Sequence, residues 1–343
     1  MPASRLSFIN AGLAISLASF SALSAETVAY TPPLGGMSFT VHGGTITAPA
    51  TTPIALPISD TPTAVGAKRA RITAINASTV TTSGSGWTAS ALASAPFPYD
   101  VRLLQGTGTG ARLAITANTA DTLTLSGRDL SALGLNAGSD GDTFELVPVD
   151  TLDSLFAADT FLGGATAADA DQLHLAKSSR STFFYDTAAT RWTDTAAPTG
   201  NAGTTRLPPE GSISMERKGE ALILRFVGAP AQTDVNVLVA NSGPTYTHTG
   251  FPRSISLGDL ALQTNLMGWV SHAAADQADL VGVAAGASWV FYFHNGANWQ
   301  RSIGAATSRD DVVIPTGKPI QIFRRGSANG STALVINHPS HTP

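Results

Sequence analysis

The feature that most constrains this chain's fold is a pattern that occurs twice. Phe184-Tyr185 is followed by Trp192, and 107 residues downstream Phe291-Tyr292 is followed by Trp299 at the same spacing. At that offset residues 167–219 align without a gap against residues 274–326. Identities include Asp169/Asp276, Leu173/Leu280, Tyr185/Tyr292, Trp192/Trp299, Pro208/Pro315, Arg217/Arg324 and Gly219/Gly326, while Leu207/Ile314, Met215/Ile322 and Lys218/Arg325 keep their character. Identity thus falls on large and special residues, not only on Ala and Thr. A shared period of this kind predicts one structural unit used twice.

The second copy suggests the local geometry. Asn295-Gly296 lies between Phe291-Tyr292-Phe293 and Trp299, and Asn-Gly is a strong hairpin signal because both residues tolerate positive φ. With these two as the turn, Tyr292 faces Trp299 and Phe291 points to the other side of the sheet. Tyr185 and Trp192 share that spacing. Ile213-x-Met215 and Ile320-x-Ile322 read as the next strands, with period two. Further apolar strands follow at 222–227 and 333–336, and Val235 to Val239 adds one between the copies.

Upstream, residues 66–149 read as a small β-barrel-like or β-sandwich module. Residues 71–82 alternate and break at Asn76-Ala77-Ser78, and residues 111–126 repeat that grammar with a turn at Asn118 to Asp121. Such alternation broken by turn residues marks hairpins. Strands are expected at 98–104 and 143–147, and a helical turn at 130–135. Residues 150–162 are the best helix candidate, with Leu152, Leu155 and Phe156 at helical spacing. Each repeat is expected to open with short strands, so that 54–58 corresponds to 255–257 and residues 66–149 form an insertion. The resulting fold class is all-β: a small β module plus two duplicated antiparallel β-sandwich-like units, with very little helix. The divisions are 1–25 (signal peptide), 26–65 (N-terminal leader and strands), 66–149 (module), 150–230 (first repeat) and 231–343 (second repeat).

Composition agrees with this reading. Charged residues are 13% of the chain, too few for a disordered or mostly helical protein. The absence of cysteine excludes disulfides, thiolate metal sites and cysteine nucleophiles. At the N-terminus Arg5 precedes an uncharged apolar run, Phe8 to Phe20, and small residues lead to Ala25. That is the arrangement of a secretory signal cleaved near Ala25. Loss of Arg5 leaves a mature formal charge of −5. No second apolar run reaches the ~18 residues of a membrane helix, so the expected location is secreted or at the cell surface.

Signals of chemistry are sparse. The glycine-rich Gly106-Thr107-Gly108-Thr109-Gly110 is followed by strand-like alternation and lacks the Lys-Ser/Thr of a phosphate cradle; it reads as a loop. Asp140-Gly141-Asp142, Asp169-x-Asp171 and Asp276-x-x-Asp279 fall short of the six to eight oxygens that calcium takes, and turn or capping roles suffice for them. The seven histidines form no close ligand pair, and there is no Gly-x-Ser-x-Gly elbow. No catalytic residue, metal or cofactor is assigned, and the expected class is not an enzyme. The duplicated basic pairs Arg217-Lys218 and Arg324-Arg325 read as solvated strand ends. A net acidic exported chain without a basic patch is not expected to bind nucleic acid. Tyr185, Trp192, Tyr292 and Trp299 are the candidate ligand-binding residues, because open aromatic faces stack on sugar rings. The competing reading is that they pin hairpins to a core.

Taken together, the signal segment, the ARLAITANTADTLTLSG, LSALGL and GDTFELVP stretches, the TLDSLF segment and the two later units resemble an uncharacterised family of secreted, β-rich hypothetical proteins from verrucomicrobia-type bacteria. Glu210-Gly211 and Gly317-Lys318 depart from the Pro-Gly-Gln-Gly-like turn more usual there. The resemblance implies secretion and repeated β architecture and transfers no activity. The sequence therefore points to an exported cell-surface or extracellular structural or binding protein. Its expected partners are surface polysaccharide or copies of itself. A carbohydrate-binding protein using its paired aromatics and a secreted polysaccharide hydrolase stand as alternatives. Expression with the native N-terminus should release a chain that begins at Glu26, checked by N-terminal sequencing of the exported fraction; an intact Met1 terminus there would refute cleavage.

Overall fold

The computed structural model describes residues 35–336, apart from 56–57, 60–67, 95–97, 107, 127–128, 157–159, 177–179, 208–211, 231–234, 241, 250–252, 267, 286–287 and 326–331. The signal segment, the leader up to residue 34, Glu210-Gly211 and residues 337–343 lie outside the described residues. The fold is all-β, with several antiparallel sheets and helical turns of four residues each. Among the described residues no helix is long and apolar enough to cross a membrane.

The helix expected over 150–162 is confined to Leu152–Leu155. A capping box starts it: Thr151 Oγ1 accepts the Ser154 N–H, and Ser154 Oγ accepts the Thr151 N–H. Phe156 is already extended, with φ −121°. Its ring packs edge-on against Phe161 and Trp192 in the core. One helical turn has almost no stability of its own, so burial of Phe156 decides where the chain leaves it.

Two five-stranded sheets dominate. The first runs in the order Arg191–Asp194, Arg180–Asp186, Gln172–Ala176, Ser212–Arg217, Ala50–Ala55. The second runs Trp299–Arg301, Ser288–His294, Leu280–Ala285, Pro319–Arg325, Ser242–His248. Each has a smaller companion. Leu222–Pro230 pairs with Gly35–Val41 and Ile58–Ser59 in one case, and Val235–Val239 pairs with Thr332–Ile336 in the other. Both sheets of a unit contribute to its core. Val41, Leu224 and Phe226 meet Ile54, Leu173, Trp192 and Met215 in the first, and Val237 and Val239 meet Val281, Trp299, Ile320 and Ile322 in the second. Alternate residues of each strand point inward, which is how two layers close on one apolar interior.

The expected match of 54–58 with 255–257 does not hold. Ala50–Ala55 lies beside Ser212–Arg217, as Ser242–His248 lies beside Pro319–Arg325. Ile255–Ser256 pairs instead with Val313–Ile314. Leu257 then donates its N–H to Val312 O, as Leu152 donates to Thr205 O. Residues 255–257 therefore occupy the place of those around Leu152, on the far side of the module. Short period-two strands carry no information about their partner, which only pairing reveals.

The module is a seven-stranded sheet whose stretch 69–75 serves both edges. Arg69–Arg71 pairs with Thr143–Pro148, and Ala74–Ile75 pairs with Thr79–Thr81. This near-closure gives it a barrel-like form around Ile72, Val80, Trp87, Val101, Leu113, Leu123 and Phe144. Both expected hairpins are present. Asn76 Oδ1 accepts the N–H groups of Ser78 and Thr79, closing the first turn. Gly141 is required by space, since a Cβ there would lie 1.9 Å from Ile72 O.

Arg206 ties the module to the first unit. Its guanidinium donates to Tyr99 O at 2.7 Å and Ile115 O at 3.2 Å, and it pairs with the Asp100 carboxylate. Arg112 approaches the other Asp100 oxygen at 3.5 Å. Arg206→Ala should lower stability by about 1–3 kcal/mol in urea denaturation, the range for losing charge-assisted hydrogen bonds at a partly buried site; an unchanged midpoint would show that the contact is incidental.

Candidate functional site

Both duplicated tryptophans are core residues. Trp192 and Trp299 are each 1% exposed. In the first unit Tyr185 stands opposite Trp192 with its ring edge-on at 5.8 Å, as the spacing predicts. In the second unit the register differs. Asn295 donates its N–H to Asn298 O, and its Oδ1 accepts the N–H groups of Ala297 and Asn298. Asn295 thus takes the first position of the turn, with Gly296 (φ +103°) and Ala297 at its centre. Displacing the turn by one residue shifts every cross-strand partner by two. His294 therefore faces Trp299, at 5.5 Å between ring centroids, and Tyr292 faces Arg301. The expected Tyr292–Trp299 pair is replaced by His294–Trp299. Sugar stacking requires an open ring face, which neither tryptophan presents. Tyr185 and Tyr292 are half-buried against their respective cores. These four residues pin hairpins and do not form a platform.

The basic pairs are not solvated either. Asp171, buried, accepts the Leu162 N–H at 2.8 Å and the Lys218 N–H at 2.7 Å, and it pairs with the Arg217 guanidinium. Asp279, also buried, accepts the Val270 N–H at 2.9 Å and the Arg325 N–H at 2.8 Å, and it pairs with Arg324 Nε at 2.8 Å. The second basic residue of each pair turns to loop carbonyls. Lys218 Nζ donates to Ala167 O and Ala168 O; the Arg325 side chain donates to Ala275 O and Ala278 O. A gap-free alignment hides this correspondence, because Asp171 and Asp279 are 108 residues apart while Arg217 and Arg324 are 107 apart. The aligned Asp169 takes a loop role, accepting from Thr166 Oγ1 at 2.7 Å. Among the described residues no three His, Asp or Glu side chains gather as metal ligands.

An aromatic group does gather elsewhere. On the second five-stranded sheet Val281, Val283, Ile320 and Ile322 point into the core. The intervening positions point away from it, and one row across the strands reads Tyr246, Gln321, Gly282, Phe291. Trp289 and Phe323 extend this face, and Tyr246, Trp289, Phe291 and Phe323 are all partly exposed. Gly282 makes the arrangement possible. A Cβ there would come within 2.9 Å of the Phe291 ring and 3.2 Å of the Trp289 ring, so its absence lets both rings lie down on the sheet. The Tyr246 and Trp289 rings approach to 5.9 Å, Gln321 Nε2 lies 3.4 Å from Tyr246 Oη, and the Arg325 guanidinium lies over Phe323. By the same pairing the first sheet carries His174, Thr182, Ser214 and Glu216 at the positions of Gly282, Phe291, Gln321 and Phe323. There the face is polar: His174 Nδ1 lies 3.0 Å from Thr182 Oγ1, and Nε2 lies 3.5 Å from Glu216.

The alternation Trp289-x-Phe291 was visible in the sequence as a possible sheet face. Its union with Tyr246 and Phe323 depends on strand order. Comparison with protein-family models, with curated proteins and with solved structures finds no match, so the assignment rests on the geometry. For the anchors the expectation is quantitative. Asp279→Ala strands a fully buried guanidinium and should destabilise the protein by about 3–5 kcal/mol in denaturant unfolding, and a loss below ~1 kcal/mol would mean that Arg324 finds other partners.

Proposed function

We propose that this protein is an exported, extracellular or cell-surface binding protein that holds a polysaccharide chain on the outer face of its second five-stranded sheet. One observation carries the reading: Tyr246, Trp289, Phe291 and Phe323 converge, partly exposed, on the side of the sheet opposite the core. Aromatic rings flanked by hydrogen-bonding groups suit pyranose rings, whose C–H faces are apolar and whose rims are hydroxylated; Gln321 and Arg325 supply such groups here. We also infer that the two sandwich-like units are copies of one ancestral unit. The shared strand order and the matched Asp171–Arg217 and Asp279–Arg324 anchors support this. On that view the scaffold was kept while the outer face diverged, polar in one unit and aromatic in the other. Export follows from the N-terminal pattern of Arg5, Phe8 to Phe20 and Ala25.

The test is retention of the mature chain on a panel of insoluble and arrayed polysaccharides. Trp289→Ala/Phe291→Ala should weaken retention at least about tenfold, equivalent to roughly 1.4 kcal/mol. Thr182→Ala, at the Phe291 position of the first sheet, should leave it unchanged. Retention indifferent to the double substitution would move the site elsewhere, and no retention on any polysaccharide would end the glycan reading.

A further inference from the structure

The two units differ at one further place. Leu162 and Val270 hold matching positions, each donating its N–H to the anchoring aspartate and accepting the N–H of that same aspartate. The residues after them are Gly163 and Ser271. Tyr185 and His294 also match, since Gly164 N–H donates to Tyr185 O as His272 N–H donates to His294 O, and both residues face the buried tryptophan. Where the first unit has glycine beside tyrosine, the second has serine beside histidine.

The Ser271 hydroxyl oxygen lies 3.0 Å from His294 Nδ1, and the Gly296 N–H points at that same nitrogen from 3.3 Å. A backbone N–H can only donate, so Nδ1 is the acceptor and the ring proton resides on Nε2. Ser271 must then be the donor toward Nδ1, the orientation a general base requires. The imidazole is fixed from behind by Trp299 and is buried, whereas Ser271 sits exposed on the loop. Among the described residues the Ser271 backbone N–H has no partner, leaving one donor beside the position of a developing oxyanion. Burial pushes the His294 pKa below its ordinary value, partly opposed by Asp310. The ring is therefore neutral at pH 7 and able to take a proton, and the Asp310 charge favours the cation formed.

We propose that Ser271 and His294 form a nucleophile–base pair that cleaves small carboxylic esters. Ser271 Oγ adds to the ester carbonyl carbon while its proton passes to Nδ1. The carbon–alkoxy bond then breaks, and the leaving oxygen takes that proton and departs as an alcohol. Water repeats the sequence on the acyl-serine, releasing the carboxylic acid and restoring Ser271. No oxidant, reductant or metal enters the balance. This activity goes beyond polysaccharide binding and does not depend on it.

The experiment uses the full mature chain, a fluorophosphonate probe mapped by peptide mass spectrometry, and p-nitrophenyl acetate turnover. Ser271 should carry the label. Ser271→Gly and His294→Tyr, the residues found at these places in the first unit, should each reduce labelling and turnover about 100-fold or more, the scale of general-base assistance. If His294→Tyr lowers the unfolding midpoint, His294→Gln keeps a polar side chain of similar size that cannot take up a proton near neutral pH, and it should lose activity equally. Failure to label Ser271 in the wild-type chain, or labelling undiminished in a folded His294 variant, would overturn the proposal. Polysaccharide retention in these variants should stay intact, which separates the fate of this site from that of the aromatic face.

Discussion

The buried pairing of an aspartate with an arginine at the end of an inner strand is the interaction on which each sandwich-like unit depends. Asp279 and Arg324 are almost wholly removed from water. Such a pair gains little net stability over apolar residues, because desolvation of both charges offsets their attraction. Its value is positional. One carboxylate joins a loop N–H, a strand-end N–H and a guanidinium, and Asp171 does the same in the first unit. Three segments remote in sequence are thereby held in one register. A slip of any of them would leave a buried charge without its partners.

With register fixed in this way, the two sheet faces answer to different demands. The inner faces must fill with side chains such as Leu173, Met215, Val281 and Ile322. The outer faces are free to differ, and they do: His174 and Glu216 in one unit stand where Gly282 and Phe323 stand in the other. The loops beside the buried tryptophans differ likewise, Gly163 with Tyr185 against Ser271 with His294. Candidate chemistry thus collects where packing leaves latitude, as expected when sites are grafted onto a scaffold.

Several elements were legible in the sequence because their determinants are local. The Asn76 turn and the hairpin through Asn118 to Asp121 follow from side chains that bond their own backbone. Strand content follows from period-two alternation. Two local readings failed for physical reasons. Asn295-Gly296 satisfies the rules for a two-residue turn, yet the Asn295 carboxamide captures the next N–H groups and displaces the turn onto Gly296-Ala297. The helix at 150–162 stops after one turn because Phe156 has more to gain in the core than in helix. The basic pairs looked solvated because their acceptors, Asp171 and Asp279, lie more than 40 residues away in sequence.

By itself the sequence determined the all-β class, the positions of hairpins and inner strands, and the aromatic residues that pin them. These depend on propensity, periodicity and turn chemistry acting over a few residues. Tertiary structure decided which strand borders which, that both tryptophans are buried, that the arginines are anchors, and that Tyr246, Trp289, Phe291 and Phe323 share one face. It also decided that Ser271 meets His294. Each of these is a contact between segments far apart in the chain. Such contacts are selected by burial and charge pairing over the whole fold, and a local pattern of residues does not encode them.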